Sequence, residues 1–298
     1  MSLAAPAYYA HGNALRDEIV ERALTLPLGN LAALNRVARL CGEPSATPAG
    51  VGLEAARDEA FAALLLRLAN SAYSHSAVSI ADLPRAVTRL GFGLVQGLDL
   101  AASGFRLLRG PADGLGEARR ELHRHAVRLG LGAWTLADGD VDHDEALAAG
   151  LVHNLGMNVL SMAAPDVFGV IVAGAQAGIP VAQIEEDRLG FTHAELGGLV
   201  AERWSYPLTL VCAIRDHDAD EPATELGRLI RLCDLLARES GAGIEPQEPA
   251  LLVGAEQARE RVRPVFEAHG RVESRPEDDG DAPRVPSSAL AMALSALA

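Results

Sequence analysis

The chain has 298 residues, 49% hydrophobic and 22% charged, enough to bury one good-sized core or two smaller ones. Its net charge of −14 works against binding nucleic-acid phosphates, and all 26 cationic side chains are arginine, which excludes Schiff-base chemistry, a lysine general base and a GxxxxGK[ST] phosphate loop. No apolar run is long enough to span a bilayer and no basic segment precedes an apolar one at the start, so neither a membrane helix nor a signal peptide is expected.

Residues 1–23 read as an extension, and 24–110 as a first helical part. Within Arg57–Tyr73, Phe61, Leu64, Leu65 and Leu68 follow the i, i+3, i+4, i+7 spacing of an amphipathic helix. The breakers of Gly110–Gly116 predict a hinge before a second helical part, 117–240. There, Glu117–Asp138 carries Leu122, His125, Ala126, Leu129, Ala133 and Leu136 on one stripe, with His123 off it and expected in solvent. The acidic stretch Asp138–Glu145 lacks an EF-hand pattern and is expected to be a loop, with Asp144 capping the helix that follows. Ala149–Gly156 is an apolar, helix-compatible run. Thr192-His-Ala-Glu195 reads as a capping box, and a helix begun by Pro207 ends at Asp216-His217. Thr224–Glu239 has the stripe Leu226, Leu229, Ile230, Cys233 and Ala237. Residues 241–298 read as a linker, an acidic disordered tail (Arg271–Pro286) and a short helix, Ser287–Ala298, that needs a docking surface. Sustained period-two alternation is hard to find, so the fold class is all-α. Trp134 and Trp204 are expected as core or helix-contact residues, and Cys41, Cys212 and Cys233 as buried free thiols of a reducing cytoplasm. Ser71 and Ser74 near His75 lack the oriented acid and oxyanion motif of a nucleophilic site.

Four polar residues stand out on apolar surfaces. His125 points inward, three residues after Leu122 and four before Leu129. His153 and Asn154 are adjacent polar side chains in an apolar run and need partners to be buried cheaply. Asp234, four residues after Ile230, either faces solvent or is paired.

The order His125, His153-Asn154, Asp234 resembles the H…HD…D signature of HD-domain phosphohydrolases, in which two His and two Asp hold a divalent cation that activates water. The segments Ala62–Ser71, Val78–Gly91, Ala149–Gly156, Leu189–Gly197, Arg203–Pro207 and Ala213–His217 resemble the HDOD domain, over roughly Leu24 to Asp220. The resemblance implies a bacterial signalling domain: an HD-domain-like helical bundle preceded by an N-terminal helical subdomain, its catalytic residues often lost. His125, His153 and Asp234 match ligand positions. His193 and His217, with Asp216 preceding the second, resemble the extra histidine ligands of HD-GYP phosphodiesterases. Asn154 departs at the central carboxylate, and Met157 stands where active relatives often carry Lys. A neutral amide cannot bridge two cations as a carboxylate can.

The expectation is therefore a catalytically degenerate, cytoplasmic regulatory module that acts through contact with a signalling protein, with no nucleic acid or membrane partner; a homo-oligomer is left open. No resident cofactor is expected, and a divalent iron, zinc or manganese ion is the one the residues leave open. The alternatives are a metal-dependent HD-type phosphohydrolase or cyclic-dinucleotide phosphodiesterase, and a nucleotide-sensing domain.

Overall fold

A computed structural model describes residues 12–25, 35–71, 80–110, 112–244 and 254–273. Among the described residues there are fifteen helices and no strand. The first part comprises α1 (Gly12–Thr25), α2 (Arg36–Cys41), α3 (Pro48–Ala55), α4 (Glu59–Ser71), α5 (Leu83–Leu90) and α6 (Phe92–Arg106). The second comprises α7 (Gly116–Leu136), α8 (His143–Val152), α9 (Leu155–Ala163), α10 (Pro165–Gln176), α11 (Val181–Arg188), α12 (His193–Arg203), α13 (Leu208–Asp216), α14 (Glu225–Glu239) and α15 (Glu256–Glu273).

Local chemistry sets several of these ends. Thr47 and Asp82 cap α3 and α5, each with a proline in the first turn, where a missing N–H costs nothing. The Thr192–Glu195 capping box closes as expected at the start of α12. At α8 the cap is Asp142, not Asp144: one carboxylate oxygen of Asp142 accepts from the amides of residues 144 and 145.

The short helix α8 is the hub of the molecule. It packs against α6, α7, α13 and α14, so both parts of the chain share it across the segment 110–116. Arg119 of α7 clamps that segment by pairing with Asp113 and donating to the Ser161 carbonyl. The α7–α8 crossing depends on absent side chains: a Cβ on Gly150 would lie 2.6 Å from the Gly130 Cα. Helices α9 and α12 meet as closely, since a Cβ on Gly156 would lie 1.8 Å from the carbonyl oxygen of His193. The three stripes read from the sequence line the core; Phe61, Leu64, Leu65, Leu68, Leu122, Leu129, Ala133, Ile230, Cys233 and Ala237 are all buried.

Other features also differ from the sequence reading. His143–Ala163 is apolar enough to cross a membrane by length and composition, but 94% of its best window is buried within the protein, and the helix breaks at His153-Asn154. The His153 ring takes the Gly150 carbonyl that a continuing helix would offer to the amide of residue 154, and Asn154 leaves helical geometry at φ −92°, ψ 26°. A full helix, α15, stands within the stretch read as linker. Its charge density hides its pattern, but Val262, Val265 and Phe266 are buried and the helix packs on α7. Trp204 is buried, while Trp134, 37% exposed, meets the His143 ring at the start of α8 rather than entering the core. Of the thiols only Cys233 is buried; Cys41 and Cys212 are partly exposed. Ser74, His75, residues 274–286 and the C-terminal helix expected at Ser287–Ala298 lie outside the described residues.

Candidate metal centre

Five helices converge on one set of imidazoles and carboxylates. The apolar stripe of α7 carries His125 inward, as its spacing requires. His153 terminates α8, His193 opens α12, His217 follows the last residue of α13, and Asp234 lies on α14. These form two clusters, His125–His153–Asp234 and His193–His217–Asp218, each with its donor atoms within 4.8 Å of one another. All five residues singled out from the sequence are at most 3% exposed. Asp216, noted from the sequence only as the neighbour preceding His217, is outside both clusters; Asp218, on the other side of His217, completes the second one. Asp218 follows the helix end, where the chain turns back, so its carboxylate swings towards the two rings, while Asp216 is still held in the last turn of α13.

Hydrogen bonding fixes the orientation of every ring. His153 Nδ1 donates to the Gly150 carbonyl at 2.7 Å and His217 Nδ1 to the Ile214 carbonyl at 2.8 Å; the same i−3 contact holds a histidine at the end of each helix. His125 Nδ1 donates to the Ala242 carbonyl at 3.3 Å, and His193 Nδ1 to the Glu185 carboxylate at 2.9 Å. A carbonyl only accepts, so the nitrogen facing it carries the hydrogen and Nε2 is left to face inward. His125 and His153 then oppose each other Nε2 to Nε2 at 3.2 Å, and His193 and His217 at 3.1 Å. The carboxylates join the same faces: Asp234 Oδ1 is 2.9 Å from His125 Nε2, and Asp218 Oδ2 is 3.2 Å from His193 Nε2. The His153 and His217 ring centroids are 5.1 Å apart, so the clusters adjoin.

Two nitrogens so fixed cannot approach to hydrogen-bond distance with only lone pairs between them. Each pair needs a positive centre there, a proton or a metal cation. Burial pushes His153 well below the ordinary imidazole range, with His125 and His217 adding to the effect, and burial pushes His217 down as well. Burial works against ionising Asp234 and Asp218, but Arg238 and the neighbouring histidines outweigh it and hold both carboxyls low. Neutral imidazole with ionised carboxylate is the state that ligates a cation.

Two further observations fit the same group. The amide oxygen of Asn154, buried at the position of the expected central carboxylate, has no hydrogen-bond partner, and neither oxygen of Asp234 has one of acceptable geometry. Two imidazoles and one carboxylate per cluster is a donor set suited to iron, zinc or manganese. Glu185, wholly buried on α11 and bonded to His193, is an outer carboxylate of the kind that orients and strengthens a histidine ligand.

Sequence reading missed Asp218, Glu185 and two arginines of α14. Arg238 meets Asp234 at 2.5 Å and Asp218 at 3.1 Å; Arg231 lies 3.7 Å and 3.4 Å from the same carboxylates. The i, i+4 spacing of Asp234 and Arg238 was a signal that could have found one of them. No local pattern pointed to Glu185, which reaches His193 from a separate helix. His123, expected in solvent, is 6% exposed, packed edge-on against Phe105, with neither ring nitrogen bonded. The wider core closes over the flank of the stripe, which a single-helix projection does not see.

The HDOD domain profile matches residues 31–220. An uncharacterized protein of Treponema pallidum (strain Nichols) is 32% identical over 167 residues, 54% of this chain; the match spans only 31% of that relative's length. A crystal structure from Marinobacter aquaeolei VT8, named as a candidate signal transduction protein, aligns with a TM-score of 0.64 at 22% identity, covering 99% of this chain and 67% of that one. Another, from Shewanella amazonensis SB2B and named as a candidate metal-dependent phosphohydrolase, aligns at 0.59 and 19%, covering 97% and 99%. At these identities the structural likenesses establish the fold.

Proposed function

The chain belongs to the HDOD domain family, and on that premise we propose that it is a regulatory module whose core holds divalent cations at two adjoining histidine–carboxylate sites and whose output is contact with a signalling protein. The observation that carries the cation reading is the convergence of four imidazole Nε2 atoms, paired at 3.2 and 3.1 Å with every Nδ1 already committed to an acceptor. His125, His153 and Asp234 would hold one cation; His193, His217 and Asp218 the other. Bound there, a cation supplies Lewis acidity and cross-links α7, α8, α12, α13 and α14. Occupancy would thus decide how firmly five helices are held, which is a form a signal to a partner can take.

Three features argue for regulation over efficient phosphoester hydrolysis. Asn154 removes the carboxylate that would bridge two cations and lowers the negative charge beside them. Met157 is wholly buried and supplies no cation for a phosphate. All the candidate ligands except Asp218 are sealed from solvent. The adjacency of two clusters favours the second reading, a metal-dependent phosphohydrolase, and the same experiment separates the two. Anaerobically purified protein is expected to contain stoichiometric iron, zinc or manganese that is lost in His153→Ala, and to leave nucleotides and cyclic dinucleotides intact. Robust hydrolysis that disappears in His153→Ala would overturn the regulatory reading; metal-free protein would overturn the centre itself. A gain of hydrolysis in Asn154→Asp would show that the amide alone had silenced the site.

A further inference from the structure

We infer that Arg238 is a built-in counter-cation that limits metal loading of the centre, because a cation entering either cluster must share a carboxylate with its guanidinium. The inference rests on the metal-binding reading above. Arg238 is 3% exposed, and one of its terminal nitrogens, Nη2, lies 2.5 Å from Asp234 Oδ2 and 3.1 Å from Asp218 Oδ1. Asp234 belongs to one cluster and Asp218 to the other, so a single buried guanidinium spans both. These carboxylates are the anionic member of each donor set; the remaining donors in both clusters are imidazoles.

Two physical consequences follow. The guanidinium lies against Asp234 Oδ2 and Asp218 Oδ1, while Asp234 Oδ1 and Asp218 Oδ2 face the imidazoles, so a divalent cation would share each carboxylate with Arg238 and be repelled by it across a poorly screened core. Conversely, the metal-free protein needs the arginine. Burying Asp234 beside Asp218 with no counter-charge would be costly, and Arg238, placed one helical turn after Asp234 on α14, removes that cost. Arg231 reinforces it from the preceding turn, at 3.7 and 3.4 Å, but is 15% exposed and further from both oxygens. The same carboxylates therefore have two competing positive partners, a resident side chain and an exchangeable ion. Arg238 is a positioning residue by this account, setting affinity without ligating the metal.

The experiment uses the 298-residue chain stripped with a chelator: wild type, Arg238→Gln and Arg238→Lys. Each is titrated with Mn2+ by calorimetry against a competing chelator and melted with and without Mn2+. Arg238→Gln is expected to bind Mn2+ at least about tenfold more tightly than wild type, to melt lower when metal-free, and to regain most of that loss when loaded. Arg238→Lys keeps the positive charge but on a shorter side chain that carries it less far towards the two carboxylates, so it is expected to show a smaller gain in affinity. It decides the matter should the Gln variant fail to fold. Equal Mn2+ affinity in the wild type and in whichever variants fold would overturn the role of Arg238 while leaving the centre intact. Failure of wild type and variants alike to bind Mn2+ would overturn the centre, and this inference with it.

Discussion

Gly156→Ala tests how the close approach of α9 to α12 builds the second cluster. The new Cβ would stand 1.8 Å from the His193 carbonyl oxygen and 3.0 Å from the Gly197 amide, both backbone atoms that no rotamer change can move aside. An ordinary contact requires more than 3 Å, so α12 must retreat by over an ångström at the residue carrying one of the imidazoles. His193 Nε2 is 3.1 Å from His217 Nε2 and 3.2 Å from Asp218, distances that such a shift destroys. The His125, His153 and Asp234 set, on α7, α8 and α14, does not include that helix. Overpacking costs about 1–3 kcal/mol, and because the obstacle is backbone the upper end is expected, about 3 kcal/mol net of a gain of roughly 1 kcal/mol in helix propensity. Urea unfolding measures the stability, and elemental analysis of the folded variant should show one of the two cation equivalents lost. Gly93→Ala on α6 is the control: its nearest neighbour would be the Asp144 Cβ at 3.4 Å, so it should be neutral or mildly stabilising. A Gly156→Ala protein within about 0.5 kcal/mol of wild type, with both equivalents retained, would refute the claim that this contact positions His193.

Three other substitutions probe separate parts of the structure. Burial, opposed only in part by the Ala38 amide and Arg106, pushes Asp99 up to about 7, with Asp58 and Glu54 adding to the rise; an acid raised in the native state costs stability as pH climbs from about 4 to 7. Asp99→Asn should keep the amide contact and lack that dependence, gaining as much as about 4 kcal/mol over wild type at pH 8, measured as the difference in urea unfolding between pH 5 and pH 8. Burial, then Arg124, pushes His123 down to about 4, so its contribution is present above its unfolded value of 6.5 and lost as pH falls towards 4. His123→Leu removes two unbonded buried nitrogens and should stabilise by about 1–2 kcal/mol at pH 7, more at pH 5; destabilisation at both would show a hidden partner. Glu185→Gln, which takes the carboxylate from behind His193, should weaken Zn2+ binding about 10–100-fold at one of the two sites in a chelator competition, and an unchanged isotherm would remove Glu185 from the centre.

Helical periodicity and capping chemistry are local, and most of what they determine was readable without a structure. The all-α class, the α4, α7 and α14 stripes, the Thr192 capping box and the inward aim of His125 all follow from which residues recur every third or fourth position. His125, His153 and Asp234 stood out too, because polar residues in apolar runs need partners, whereas His193 and His217 were singled out only by the family resemblance. Which partners they find is a property of helix meeting helix. Only the tertiary structure decided that Asp218 and not Asp216 joins His217, since the end of α13 sets which way each carboxylate turns. Only it placed Glu185 behind His193, the guanidinium of Arg238 across both clusters, and the two clusters edge to edge. The break at His153-Asn154 belongs there as well: the ring's bond to Gly150 ends α8 where four other helices surround it, which turns an ordinary apolar run into the hub of the site.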